Sequence, residues 1–160
     1  MPISTHAEHD HQKCVNHALT IAEHLCLKRG VQLTLIRHQV LALIWENHKA
    51  VKAYELLERL KPLKNAAKPA TVYRALDFLI AQGLIHRIES LNAFIGCRCS
   101  EHQHEQLLLI CKYCHEVEER TATNVMLALS DELKQASFVA HSKAIEIHGI
   151  CRTCATPPKA

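Results

Sequence analysis

Two cysteine pairs carry the strongest chemistry in the chain, Cys111-Lys-Tyr-Cys114 and Cys151-Arg-Thr-Cys154, with 36 residues between them. Two intervening residues let both thiolates of a pair turn onto one ion, and two such knuckles complete the tetrahedral four-sulfur shell that zinc prefers. A closed shell of this kind, with Zn–S bonds of about 2.3 Å, is structural, and binding contributes on the order of 10–16 kcal/mol in small zinc domains. The competing readings are a redox C-x-x-C or free buried thiols, but a redox pair usually sits at a helix N-terminus after a strand and does not come twice.

A second group of possible ligands stands around these pairs: His86, Cys97, Cys99, His102, His104, His115, Glu118 and Glu119. His86 and Cys97 fall where two halves of the chain meet, His104 in the polar stretch 100–106, and Glu119 just beyond the first knuckle. One thiolate, two imidazoles and a carboxylate would make a mixed tetrahedral shell, and the thiolate favours zinc over iron or manganese. Spacing alone leaves a structural role for each of these residues open.

The elements that position them divide by charge. From Lys28 to Arg87 there are eleven Lys/Arg against four acids, while from Leu91 onward there are seven against eight, with six of the eight cysteines. A basic half joined to a Cys/His-rich half suggests a nucleic-acid module fused to a metal module. In the basic half, Ile36, Val40 and Ile44 form an apolar stripe behind Thr34 as N-cap. A short helix is expected over Ala53–Leu60. Pro69 opens another, Pro69–Ala81, with Val72, Ala75, Leu76 and Leu79 inward and Gly83 at its end. Strands at 84–88 and 93–97 follow, joined by a hairpin loop. Helices followed by a two-stranded hairpin are the order of a winged helix-turn-helix, whose second helix, here Pro69–Ala81, enters the major groove.

The other half predicts strands at 107–111 and Val117–Arg120, and an amphipathic helix over 122–135 with Val125, Leu129 and Leu133 on its apolar face. In the last strand Ile145 and Ile147 alternate with polar neighbours. A small antiparallel sheet with an open edge is marginal alone, so pairing with a second chain is expected. The fold class is α+β: an N-terminal winged-helix DNA-binding domain and a C-terminal α/β dimerisation domain. The boundaries are a tail at 1–12, the DNA-binding domain at 13–91, a hinge linker at 92–105, the dimerisation and metal domain at 106–155, and a frayed end at 156–160.

The whole chain, 160 residues with 48% hydrophobic and 22% charged, is expected to be globular rather than disordered. No apolar run approaches the ~20 residues of a membrane span, and the opening MPISTHAEHDHQKC lacks a signal peptide's apolar region. The expected compartment is the cytoplasm, where eight cysteines hold metal rather than form disulfides. An enzyme reading fails because four protein ligands leave no open metal position, and the deaminase pattern of H-x-E with P-C-x-x-C is absent. His6, His9 and His11 belong to the tail, Cys14 and Cys26 are apolar fillers of a first helix, and Trp45 is a core residue.

The segments LTLIRHQVL (33–41) and PATVYRAL (69–76), with the two C-x-x-C pairs, resemble the ferric uptake regulator family. YRALDFL (73–79), running through Gln82-Gly83 to His86, resembles its zinc-sensing branch. The resemblance covers roughly 30–154. It implies a homodimeric, zinc-dependent repressor of zinc-acquisition genes that binds a pseudo-palindromic DNA operator, with two Zn2+ per subunit. The structural zinc falls on Cys111, Cys114, Cys151 and Cys154, and the sensory zinc on His86, Cys97, His104 and Glu119. The DNA contacts fall on Tyr54, Thr71, Tyr73 and Arg74. Three departures matter: Leu35 replaces a usual Pro, Cys99 could substitute for Cys97, and Met126 stands where some members use a glutamate for a third metal site.

Overall fold

The computed structural model describes residues 11–46, 49–62, 68–98, 105–141 and 143–156. Four helices come first: α1 (His11–Lys28), α2 (Leu35–Trp45), α3 (Ala53–Leu60) and α4 (Pro69–Ala81). Thr34 takes the extended conformation of an N-cap ahead of α2, although its hydroxyl makes no capping bond. At α3 the Glu55 carboxylate accepts the Lys52 backbone N–H at 2.9 Å, satisfying a donor the helix leaves over. α4 ends at Gly83, whose φ of +68° suits a residue without Cβ, and the Leu84 N–H closes back onto the Leu79 carbonyl at 2.9 Å. The α4 residues Val72, Ala75, Leu76 and Leu79 are all buried, as their spacing predicts.

Strands β1 (Ile85–Ile88) and β2 (Ala93–Gly96) follow, antiparallel, joined by the single 3-10 turn Glu89–Leu91. The main core lies among the helices and includes Val40, Ile44, Leu56, Leu60, Leu76 and Leu79. Arg29 and Arg37 pin α4 from outside it. The first donates to the Gln82 carbonyl at 2.8 Å, and the second lies 3.6 Å from the centre of the Phe78 ring.

The remaining elements are β3 (Glu105–Cys111), β4 (Val117–Arg120), α5 (Thr123–Gln135), β5 (Lys143–Gly149) and the short helix α6 (Arg152–Ala155), which the sequence reading did not foresee. The sheet order is β4-β3-β5, and it is mixed: β4 runs antiparallel to β3, but β5 runs parallel to it. That corrects the expected antiparallel sheet. Parallel neighbours need a crossover, and the connection that carries α5 supplies it. The buried residue of α5 is Met126, with Leu129 and Leu133 half-buried, while Val125 is exposed. The expected apolar face therefore keeps Leu129 and Leu133 but takes Met126 in place of Val125.

A second core joins the two halves. Ile88 and Ile95 of the hairpin pack with Leu108, Ile110 and Val117 of the sheet, flanked by Ala50 and Leu91. The stretch 92–105, expected to be a linker, begins with β2 in full register with β1, so a ladder of hydrogen bonds assigns that part to the wing. No described helix is long and apolar enough to cross a membrane.

Candidate metal centres

The parallel pairing builds the first centre. Cys111 ends β3 opposite Gly149 at the end of β5, so both strands deliver their knuckles to the same end of the sheet. Cys114 lies on the turn after β3, Cys151 caps α6 and Cys154 lies within it. The turn needs His115 at a φ of +59°. All four sulfurs lie within 4.8 Å of one another. Cys114 and Cys151 are 3.6 Å apart, close to the edge of about 3.8 Å that a tetrahedron of 2.3 Å bonds requires and far beyond a disulfide's bond length of about 2.05 Å.

The thiols of this cluster differ sharply. Backbone N–H groups of Cys114 and then Cys151 lower the Cys111 thiol to about 6. The Cys154 thiol is pushed up to about 12, first by its hydrogen bond with Cys151 and then by burial and the other sulfurs. Four thiolates cannot gather here unaided. The donor set fits a tetrahedral dication such as Zn2+.

The second centre joins the halves. Donor atoms of His86 (β1), Cys97 (just after β2) and Glu119 (β4) lie within 4.8 Å of one another. His86 and Cys97 are 9% and 8% exposed, so polar atoms at this place must find partners within the fold. His86 Nε2 stands 3.2 Å from Glu119 Oε1, and its Nδ1 meets the Gln106 side-chain amide. The Arg98 backbone N–H donates to Glu119 Oε2 at 3.1 Å. Burial works to raise the Glu119 carboxyl, but His86 and the Arg98 N–H outweigh it and hold the group below its usual range. Gly96, next to Cys97, leaves no room for a side chain, because a Cβ there would run into the Trp45 ring.

Of the expected sensory ligands, the structure therefore brings together His86, Cys97 and Glu119. His104 lies outside the described residues, as do Cys99 and His102. Glu118 points away with the alternation of β4 and pairs with Arg120 at 2.9 Å. Among the described residues no third group of three metal-ligating side chains gathers, and Met126 is buried. Sequence reasoning missed Gln106, whose signal was its strand phase: it shares a face of β3 with Leu108 and Ile110. It also missed the parallel sheet, although each C-x-x-C directly follows a strand and only parallel neighbours bring both knuckles to one ion.

In the helical half, Tyr54 of α3 and Tyr73 of α4 are 63% and 52% exposed, large rings left in water. Arg74 is exposed beside Tyr73, and Thr71 is half-buried at the start of the same helix.

Comparison with known proteins adds a consistent set of relatives. The ferric uptake regulator family matches residues 28–155. The zinc uptake regulation protein of Escherichia coli (strain K12) is 38% identical over 85% of this chain and 80% of its own length. A solved zinc uptake regulator complexed with zinc and DNA is 37% identical, matching 88% of this chain and 94% of its own with a TM-score of 0.84. The holo form of XcZur is 42% identical and matches 88% of this chain and 98% of its own with a TM-score of 0.81. Its apo form, 41% identical over 90% of this chain and 99% of its own, matches with a TM-score of only 0.54.

Proposed function

The chain belongs to the ferric uptake regulator family, and from that premise we propose that it is a zinc-responsive repressor of zinc-uptake genes. It is a homologue of zinc uptake regulators, transcription regulators rather than enzymes. The observation that carries the reading is the His86–Cys97–Glu119 cluster, whose donors come from two halves of the chain and converge only when those halves are docked. The contrast between holo and apo relatives supports it, because the described arrangement is similar to the holo form and to the DNA complex.

Two Zn2+ per subunit are proposed. Cys111, Cys114, Cys151 and Cys154 would hold the structural one, and His86, Cys97, Glu119 and His104 the sensory one. Bound Zn2+ supplies a redox-inert Lewis-acid centre that accepts thiolate, imidazole and carboxylate donors together. His86 and Cys97 ride on the wing and Glu119 on the sheet, so completing the set holds the wing against the sheet. To move the docked state from 1% to 99% takes a preference of about 5.5 kcal/mol, within the reach of one four-ligand site. By linkage, operator DNA must tighten the sensory site by the same factor.

Homodimerisation is supported by apolar side chains left in water on the C-terminal half, with Leu127 at 60%, Phe138 at 63% and Val139 at 82% exposure. In a dimer the two α4 helices would be held about 34–36 Å apart, one turn of DNA, which calls for a pseudo-palindromic operator. Arg74 and Tyr73, with Thr71 and Tyr54, face the bases and phosphates, while Lys52, Lys61, Lys64 and Lys68 supply attraction that salt screens. DNA as the partner makes the cytoplasm its place of work.

The test begins with duplexes selected from a random pool by zinc-loaded protein. Chelator-treated protein is then titrated with zinc, iron(II) or manganese(II) against the selected duplex. Tight binding restored by zinc alone is expected. Equal binding by the protein holding only its four-cysteine ion would sink the reading.

A further inference from the structure

Glu146 belongs to neither donor cluster, yet it does on one side of the wing what Glu119 does on the other. In the sheet register, Leu108 of β3 lies beside Glu119 of β4 and beside Glu146 of β5, so the three form one row across a single face. Leu108 is fully buried against Ile88 and Ile95 of the hairpin. From one end of the row Glu119 reaches His86 and the Arg98 N–H. From the other, Glu146 accepts the backbone N–H of Glu89 at 2.7 Å and that of Ser90 at 3.1 Å, both in the wing turn. One step along the same face, His148 Nε2 lies 2.9 Å from Ser90 Oγ. Burial acts to raise the Glu146 carboxyl, and the Ser90 and Glu89 donors outweigh it, keeping the group ionised at neutral pH.

We propose that Glu146 is a metal-free latch, a positioning residue that holds the wing turn on the sheet and biases the halves toward docking before the sensory ligands are filled. The proposal rests on the zinc-sensing reading and assigns to Glu146 the setting of its zinc threshold. A wing held only at the His86 end could pivot about the Leu108 contact. A second carboxylate beyond that contact removes the pivot, and charge-assisted bonds to two amides are strong enough to matter.

The test uses full-length Glu146→Gln and Glu146→Ala, each with wild type. Hydrogen exchange of the 89–92 segment is followed in zinc-loaded, DNA-free protein, and operator binding is titrated with zinc. Loss of the latch should speed exchange of that segment about tenfold and raise the zinc midpoint about tenfold. Operator affinity at saturating zinc should change less than about twofold, because a docked population near 99% has little to lose. Zinc content per chain should stay the same. Unchanged exchange overturns the latch, and so does faster exchange with an unmoved midpoint. An equal loss of affinity at every zinc level also overturns it, since that marks a fold or DNA-contact defect. A wild-type chain that binds its operator regardless of zinc overturns the sensing reading instead, and the exchange experiment then decides the latch by itself.

Discussion

Cys111, Cys114, Cys151 and Cys154 stand at the shared end of two neighbouring strands, β3 and β5, and every element that positions them lies in the C-terminal half. His86, Cys97 and Glu119 are gathered from β1, the residue after β2, and β4, across the joint between the halves. The two clusters differ in donor chemistry, four sulfurs against a mixed thiolate, imidazole and carboxylate set, and they differ as much in the part of the fold each depends on. Sulfurs set by adjacent strands are assembled whenever the sheet is, and we propose on that ground that this cluster serves stability. Donors divided between two docking bodies are assembled only in one arrangement of those bodies, and we propose on that ground that this cluster reports on it.

The sharpest way to break this contrast is Cys111→Ser. Removing one sulfur from a closed shell should release that ion and take with it most of the 10–16 kcal/mol scale of such sites, leaving a C-terminal half that does not fold. Metal content and thermal unfolding would check it. A folded chain with an unchanged melting temperature would show that the four-cysteine cluster is dispensable.

Cys97→Ser should act quite differently, leaving melting nearly unchanged and one zinc per chain. Operator affinity in saturating zinc should fall about a hundredfold, to the level of the chelated chain, because the docked population drops from near 99% to near 1%. If the two serine variants behave alike, the division of labour between the clusters is wrong. Arg74→Ala is the control that touches neither cluster. It should cost about 1–3 kcal/mol of operator binding with both zincs retained and the zinc midpoint unmoved, as read by anisotropy.

Gly96→Ala gives the smallest and most diagnostic effect. The added methyl meets the ring of Trp45, the one tryptophan in the chain, and overpacking of this kind costs about 1–3 kcal/mol. Because Cys97 is the next residue, the sensory site should weaken several-fold, the four-cysteine site should be untouched, and tryptophan emission should shift. Wild-type zinc affinity in this variant would dissociate Trp45 from the sensory site.

Much of the fold was legible before any coordinates. Helices α3 and α4 and strand β4 take the predicted bounds, and the hairpin follows where expected. In each case the signal was local: Pro69 at a first turn, Gly83 at an end, apolar residues at a steady period. The four-cysteine cluster was legible because two residues between thiols restrict each pair to a knuckle. The faces of β5 were not. Its alternation of Ile145 and Ile147 with Glu146 and His148 declares two faces without saying which is covered. In the folded chain the polar face grips the wing, through bonds such as that from the Glu89 N–H to Glu146, while Ile147 is left 49% exposed. The usual assumption that apolar means inward is reversed because the sheet docks on backbone amides on one side, and we propose a second subunit on the other.

By itself the sequence determined the elements other than the short α6, the basic and cysteine-rich halves, and the ligand types, since these depend on residue types and on contacts a few residues apart. The tertiary structure decided that β5 runs parallel to β3, that Met126 rather than Val125 turns inward, and that Glu119 and Glu146 grasp the wing from opposite ends of one row. Pairings between distant segments are chosen by the burial and hydrogen bonding of the assembled whole, and no short window of residues carries that comparison.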